Sequence, residues 1–159
     1  VRFTERFQLN QVSGSRLDAQ TDACYTAATA CFKGLDEIRK VAENTKGKLA
    51  LLGVAGTLTS LAWMQHHERL KTHQSYDANL LNGIVLTLEE LRHWRKYVTA
   101  AGPEQLITEF PLVMKGRADV FLAGLIILEA FMDFFQQTEL LVSTGGIRHG
   151  ALMNATSKQ

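Results

Sequence analysis

Two short apolar segments, each running into a glycine-rich corner, constrain the fold of this chain more than any other feature of its sequence. Residues 48–52 lead into a corner at 53–57, and residues 139–143 lead into a corner at Gly145 and Gly146. Short apolar runs that end at glycine are typical of buried strands. Because helical patterns lie between these two strands, the sequence predicts a helix-rich α/β fold with a short, mainly parallel sheet.

The other elements follow from the spacing of apolar residues. Apolar and polar residues alternate over 1–9, which predicts a half-buried strand, whereas apolar residues three and four apart over 18–44 predict one long helix. Thr87 and Glu90 form a capping-box pattern, which marks the start of a helix. Further helices are predicted at 59–71, at 88–102, from Pro103 onward and at 117–135. Gly124 inside the last of these predicts that another backbone packs close to it.

The composition fits one globular domain and argues against several classes of protein. Of the 159 residues, 46% are apolar, which is enough for a core at this chain length. Seventeen basic and sixteen acidic side chains leave a net charge of +1, without the basic cluster typical of a nucleic-acid-binding face. The most apolar segment, 120–128, is far shorter than the roughly twenty residues that span a bilayer. We therefore expect a soluble, cytoplasmic domain that binds neither nucleic acid nor membranes.

The cysteines and histidines lack the spacing of a metal site. Cys24 and Cys31 lie on a predicted helix, where we expect both to be buried apolar side chains without a disulfide. His66 and His67 are adjacent and therefore point to different faces of a helix, and no carboxylate lies four residues after either of them. We expect no metal ligands among these residues or His73.

Four segments of the sequence resemble one known family. They are VRFTERF at 1–7, GVAGTLTSLAWM at 53–64, RADVFLAGLIILEAF at 117–131 and LVSTGGIRHGAL at 141–152. In this order and spacing they are similar to the second half of the exopolyphosphatase / guanosine pentaphosphate phosphatase (Ppx/GppA) family, within the actin-like ATPase superfamily. The resemblance covers essentially all of residues 1–159. It implies a single, incomplete ribonuclease-H-like domain with a helical insertion at about 72–116.

The resemblance also implies a reaction. Enzymes of this family release the terminal phosphate of polyphosphate or of guanosine pentaphosphate (pppGpp) with the help of Mg²⁺. Their acidic catalytic groups lie in segments that are not found in these residues, so we expect the chain to contain no catalytic residue and to be inactive alone. The Mg²⁺ would be held mainly by that other portion. Two central strands of the family's sheet are also not found, and unpaired strand edges favour a homodimer.

The two glycine corners are the candidate phosphate-binding elements. Backbone N–H groups at such a corner and the positive end of a following helix attract an anionic oxygen, and the forked guanidinium of arginine grips phosphate. We expect one phosphate-binding wall of an interdomain cleft to consist of Gly53, Gly56, Thr57, Arg117, Gly145, Gly146 and Arg148. Thr144 and His149 stand where the resemblance implies acidic residues, which makes the second corner more positive than is usual in the family.

Alternative interpretations stay open for these residues and for the chain. The corner at 53–57 is also what a tight strand–helix turn requires, and Arg148 can instead pair with a surface carboxylate. As a whole, the chain can be a non-catalytic binding or assembly module of the same fold. The sequence does not distinguish polyphosphate from pppGpp as the ligand.

Overall fold

The computed structural model describes residues 2–44, 50–70 and 77–146 of the chain, with the backbone alone at 68–70. The helices are α1 Arg2–Arg6, α2 Gly14–Phe32, α3 Asp36–Asn44, α4 Gly56–Leu70, α5 Leu88–Glu109, α6 Pro111–Met114 and α7 Ala118–Phe134. The strands are β1 Leu51–Val54, β2 Val85–Thr87 and β3 Glu139–Ser143, and short 3-10 turns occupy Lys33–Leu35 and Ala78–Leu81. The described chain is therefore helix-rich with a small sheet, as predicted.

The sheet is mixed, with β3 in its centre. The strand order is β1–β3–β2. β1 runs parallel to β3, with Val54 opposite Ser143, and β2 runs antiparallel to it, with Leu86 opposite Leu140. The parallel pair joins the two strands that the glycine corners predicted. β2 was not predicted, because a run of three residues before a helix cap has no periodicity of its own.

The N-terminal segment is a helix, so the predicted strand at 1–9 is wrong. The Phe7 amide donates to the Phe3 carbonyl at 3.0 Å, which is one helical turn. The buried side chains there are Thr4, Phe7 and Leu9, and this spacing does not match the alternation that the sequence suggested. The first edge of the sheet is consequently β1, and the N-terminal segment contributes no strand in its described residues.

The predicted long helix at 18–44 is real but interrupted. α2 begins earlier, at Gly14, and a 3-10 turn at Lys33–Leu35 separates it from α3. Cys24 is fully buried, and its burial raises the pKa of the thiol to about 11, which keeps the thiol protonated and unreactive at neutral pH. Cys31 is exposed, so the expectation that both cysteines are buried is wrong for Cys31. The turn after Phe32 is a feature that helical periodicity alone does not reveal.

The capping box is formed as predicted. The Glu90 amide donates to Thr87 Oγ1 at 3.1 Å, and the Thr87 amide donates to Glu90 Oε2 at 2.8 Å. Within α5, Gly102 adopts a φ of +73° and breaks the helical path immediately before Pro103, as the sequence indicated. The glycine is needed there because this φ lies in the left-handed region.

α7 is the central helix of the core. It packs against α2 and α5, and most of its side chains are buried. A Cβ on Gly124 would lie 2.6 Å from Oγ1 of Thr57, at the start of α4. The close approach predicted at Gly124 is therefore real, but the neighbour is a side chain and not a backbone. Since α4 follows β1 directly, this contact fixes the first glycine corner against the core.

A charged network connects the three packed helices. Glu129 on α7 is only 4% exposed and forms ion pairs with Arg92 and Arg95 of α5. Arg92 also donates to Asp133 at 2.8 Å, and the Tyr25 hydroxyl of α2 donates to Asp133 at 2.7 Å. Burial and the hydrogen bond with Asp133 raise the pKa of Tyr25 to about 12. A buried carboxylate with two cationic partners is costly to break, because removing one partner leaves an uncompensated charge.

Candidate functional site

The two glycine corners meet at one edge of the sheet. The parallel strands β1 and β3 end side by side at Val54 and Ser143, and a cavity of about 500 Å³ opens beyond these ends. We call it the corner cavity; its lining consists of Val54, Ala55, Gly56, Thr59, Ser60, Ala78, Leu112, Val113, Arg117, Ser143, Thr144 and Gly146. The adjacency of the corners, which the sequence predicted from two distant segments, is confirmed.

Gly56 forms the first corner at the start of α4. A Cβ there would lie 2.7 Å from Nη1 of Arg117, so any larger residue would displace the arginine. The preceding residue, Ala55, has a φ of +151°, a backbone conformation that favours glycine. Its carbonyl accepts the Thr59 amide at 3.2 Å and so closes the first helical turn. The N–H groups that precede Thr59 at this helix start have no acceptor within the helix, which is the usual origin of an anion-binding site.

Arg117 connects the first corner to the start of α7. Its Nη1 donates to the Gly56 carbonyl at 3.1 Å and to Ser60 Oγ at 3.0 Å, although Arg117 and Gly56 are 61 residues apart in the chain. Ser60 is 1% exposed, and its hydroxyl also donates to the Val113 carbonyl at 3.4 Å. Ser60 was not among the site residues predicted from the sequence. Its position four residues after Gly56, hence on the same face of α4, was the available signal.

Gly53 and Thr57 lie beside the corner cavity but outside its lining. Gly53 is inside β1 and buried, and a Cβ on it would overlap Cδ1 of Leu58. Thr57 faces Gly124 on α7. The absence of a side chain at Gly53 thus lets β1 pack closely on α4, and Thr57 holds α4 against α7. Both residues therefore help to fix the position of the first corner without lining the corner cavity.

The second corner is held by side chains. The Thr144 amide donates to Asn82 Oδ1 at 3.1 Å, and the Gly145 amide donates to Ser143 Oγ at 3.2 Å. A Cβ at Gly145 would be in ordinary contact with Ser143 Oγ at 3.5 Å, and a Cβ at Gly146 would meet no atom of the described residues within 4 Å. Neither glycine is therefore required by space. Arg148, Gly150 and His149 lie outside the described residues.

The corner cavity is positive and contains hydroxyl groups. Among its lining residues in the described part of the chain, Arg117 is the charged one and no carboxylate is present. The hydroxyl of Ser143 adds a donor that can turn toward an anionic oxygen. The hydroxyls of Thr59 and Ser60 already donate to backbone carbonyls. Nowhere in the ranges described do three His, Cys, Asp or Glu side chains come together in a way that could hold a metal ion. The lining therefore fits an anion and does not fit a resident Mg²⁺.

None of the helices in the described ranges is both long and apolar enough to cross a membrane.

Comparison with known proteins identifies a family over nearly the whole chain. The model of the Ppx/GppA phosphatase family matches residues 5–159. No curated protein matches the sequence.

Several solved structures share the fold. A structure of the Aquifex aeolicus Ppx/GppA family member has 24% sequence identity and a TM-score of 0.75, and the match covers 99% of this chain and 46% of that one. An exopolyphosphatase-like protein has 18% identity and a TM-score of 0.72, covering 99% of this chain and 48% of the other. An exopolyphosphatase from Cytophaga hutchinsonii has 19% identity and a TM-score of 0.63, covering 84% and 42%. The predicted fold class, part of an actin-like domain, is confirmed, and the chain spans less than half the length of these structures.

Proposed function

The chain belongs to the Ppx/GppA phosphatase family, and we propose that its corner cavity is one phosphate-binding wall of a phosphoanhydride hydrolase that releases terminal phosphate from polyphosphate or pppGpp. The single observation that carries this proposal is the convergence of both glycine corners on one cavity whose charged lining residue is Arg117. Parallel strands of α/β sheets commonly bind ligands beyond their carboxyl ends, and this cavity lies there.

The first corner is the main anion contact in this proposal. α4 has 15 residues, so its N-terminus at Gly56 carries the full partial positive charge of a helix dipole. Arg117 uses Nη1 to hold the Gly56 carbonyl, which leaves the rest of its guanidinium for a phosphate oxygen. Gly53 and Thr57 act indirectly, by fixing the position of this corner. Arg148 remains a proposed contact of the second corner.

Hydrolysis needs groups beyond this cavity. A carboxylate is required to orient or deprotonate the attacking water, and the described lining contains none. We assign that carboxylate, and the oxygen ligands of Mg²⁺, to the portion of the family's proteins that this chain does not match. Bound Mg²⁺ would neutralise charge on the phosphates. In this chain, Gly56 and Arg117 bind and orient the phosphoryl oxygens.

A second candidate is a non-catalytic binding or assembly module. The lack of carboxylates in the described lining of the corner cavity is as consistent with such a module as with one wall of an enzyme. We also propose a cytoplasmic location. A homodimer is proposed as well, supported by β1, which pairs on one side only among the described residues and where Leu52 is 62% and Val54 48% exposed. Light scattering of the purified chain tests the homodimer. If β1 forms the interface, Leu52→Arg should give monomers, because it places a charge in that interface.

Binding of inorganic tripolyphosphate to the chain, measured by calorimetry, tests the phosphate-binding wall. Arg117→Ala should weaken binding by about 10-fold or more, because a charge-assisted hydrogen bond is lost. Arg117→Lys should be intermediate, since it keeps the charge but not the fork. Arg16→Ala is the control: it removes the same charge from an exposed position on α2. Equal affinity of Arg117→Ala and the unaltered chain would contradict the assignment.

Phosphate release separates the enzyme from the binding module. The 159-residue chain should release no phosphate from polyphosphate or pppGpp with Mg²⁺ present, because it supplies no base. A longer parent protein that contains it should release phosphate if the enzyme assignment is correct. A parent that binds tripolyphosphate but does not hydrolyse it would favour the non-catalytic module.

A further inference from the structure

The segment before β2 extends the sheet to the second corner. The Gly83 amide donates to the Val142 carbonyl at 2.8 Å, and the Val142 amide donates to the Ile84 carbonyl at 2.8 Å. Gly83 has a φ of +84°, which turns the chain from the 3-10 turn Ala78–Leu81 into this pairing. Asn82 is thereby placed directly beside the residue where β3 leaves the sheet.

Asn82 attaches the second corner to this segment. Its Oδ1 accepts the Thr144 amide at 3.1 Å and the Thr144 hydroxyl at 3.5 Å. Along the other edge of β3, the pairing with β1 ends at Ser143. Thr144 is therefore the first residue beyond the parallel ladder. Its hydrogen bond to the Asn82 side chain holds the chain in place where the ladder hydrogen bonds end.

We propose that Asn82 is a positioning residue that fixes the Thr144 side of the corner cavity relative to Gly56 and Arg117. This inference rests on the proposed function, because it concerns the same phosphate-binding cavity. Thr144 lines the cavity whereas Asn82 does not, so Asn82 acts through Thr144 and has no direct contact with the ligand. The distance between the two corners decides whether one phosphate chain can reach both, and small displacements of binding groups are costly.

The amide side chain suits this position for a chemical reason. The contact requires a short side chain with an acceptor oxygen, and both asparagine and aspartate provide one. An aspartate would add a negative charge beside a cavity whose charged lining residue is Arg117. This negative charge would repel a phosphate ligand, which is also negative. Asparagine supplies the anchor without that charge. The two substitutions Asn82→Ala and Asn82→Asp therefore separate the anchor from the charge.

The test uses the whole chain and three variants. Asn82→Ala removes the anchor, Asn82→Asp keeps it, and Asn79→Ala is the matched control, since it removes the same exposed side chain from the same turn three residues earlier. Two quantities are measured: the dissociation constant for inorganic tripolyphosphate, and the hydrogen-exchange rate of the Thr144 amide by NMR. Thermal denaturation checks folding; because Asn82 is exposed, we expect all three variants to fold.

Asn82→Ala should raise the dissociation constant by about 3- to 10-fold and speed exchange at Thr144, consistent with the loss of one hydrogen bond. Asn82→Asp should keep Thr144 protected, with weaker binding at low salt that recovers as salt screens the added charge. Asn79→Ala should change neither quantity.

Two results would overturn the inference in distinguishable ways. Unchanged tripolyphosphate affinity in Asn82→Ala, with normal binding by the unaltered chain, would refute the role of Asn82 and leave the proposed function standing. No binding by the unaltered chain would refute the phosphate-binding wall and, with it, a positioning role for Asn82. If the first result is accompanied by faster exchange at Thr144, the hydrogen bond to Asn82 is structural only.

Discussion

The two corners of the cavity are built in different ways. The first corner is fixed by close packing: a Cβ at Gly53 or Gly56 would lie less than 3.0 Å from a neighbouring side-chain atom. At the second corner, no atom of the described residues lies close to the position of a Cβ on Gly146, and backbone amides donate hydrogen bonds to the side chains of Asn82 and Ser143. Glycine at position 53 is thus required by contact with buried side chains, whereas at position 56 the close neighbour is the flexible end of Arg117. Glycine at the second corner is compatible with the fold but not demanded by it.

This difference gives a ranking of expected effects, and the largest is on stability at Gly53. Gly53→Ala should destabilise the chain by about 1–3 kcal/mol, because the new methyl group overlaps the buried side chains of Leu58 and Leu140. Gly146→Ala, at the second corner, should change stability by less than about 0.5 kcal/mol. Urea denaturation of both variants measures the comparison, and equal losses would show that the corners do not differ in packing.

The next effect is on ligand binding at Gly56. Gly56→Ala should push the Arg117 guanidinium away from the Gly56 carbonyl and Ser60, and weaken tripolyphosphate binding by about 3- to 10-fold. Stability should change less than in Gly53→Ala, because the displaced atoms belong to the end of an exposed, flexible side chain. The matched variant Gly145→Ala places its Cβ in ordinary contact with Ser143 and should bind normally. A weaker affinity in Gly145→Ala than in Gly56→Ala would reverse the ranking of the corners.

The smallest effect concerns the backbone strain at Ala55. Replacing alanine by glycine in a loop usually costs about 0.4–1 kcal/mol, because the unfolded chain gains freedom. At a φ of +151° glycine is the favoured residue, so Ala55→Gly should be neutral or stabilising by up to about 1 kcal/mol. Calorimetric melting detects the difference. A clear loss of stability would mean that the first corner is not strained at this residue.

Parts of the site could be predicted from sequence because they are encoded locally. Strands ending in glycine predicted both corners, and the capping box at Thr87 and Glu90 predicted the start of α5. The contact of Arg117 with Ser60 was not predicted, since it joins residues 57 apart and depends on how α4 and α7 pack. The alternation at 1–9 gave a wrong prediction of a strand for a related reason. In a segment this short, packing against α7 decides which side chains are buried.

The sequence by itself determined most of the later helices and the two strand ends, because hydrophobic period, glycine and cap residues act within a few positions of one another. Its four motifs indicated the family. Only the tertiary structure decided that Gly53 and Thr57 support the corner while Gly56 and Arg117 line it, and that Asn82 anchors Thr144. Those roles depend on which side chains from distant segments come within contact distance, and packing of α4 and α7 against the sheet sets those distances.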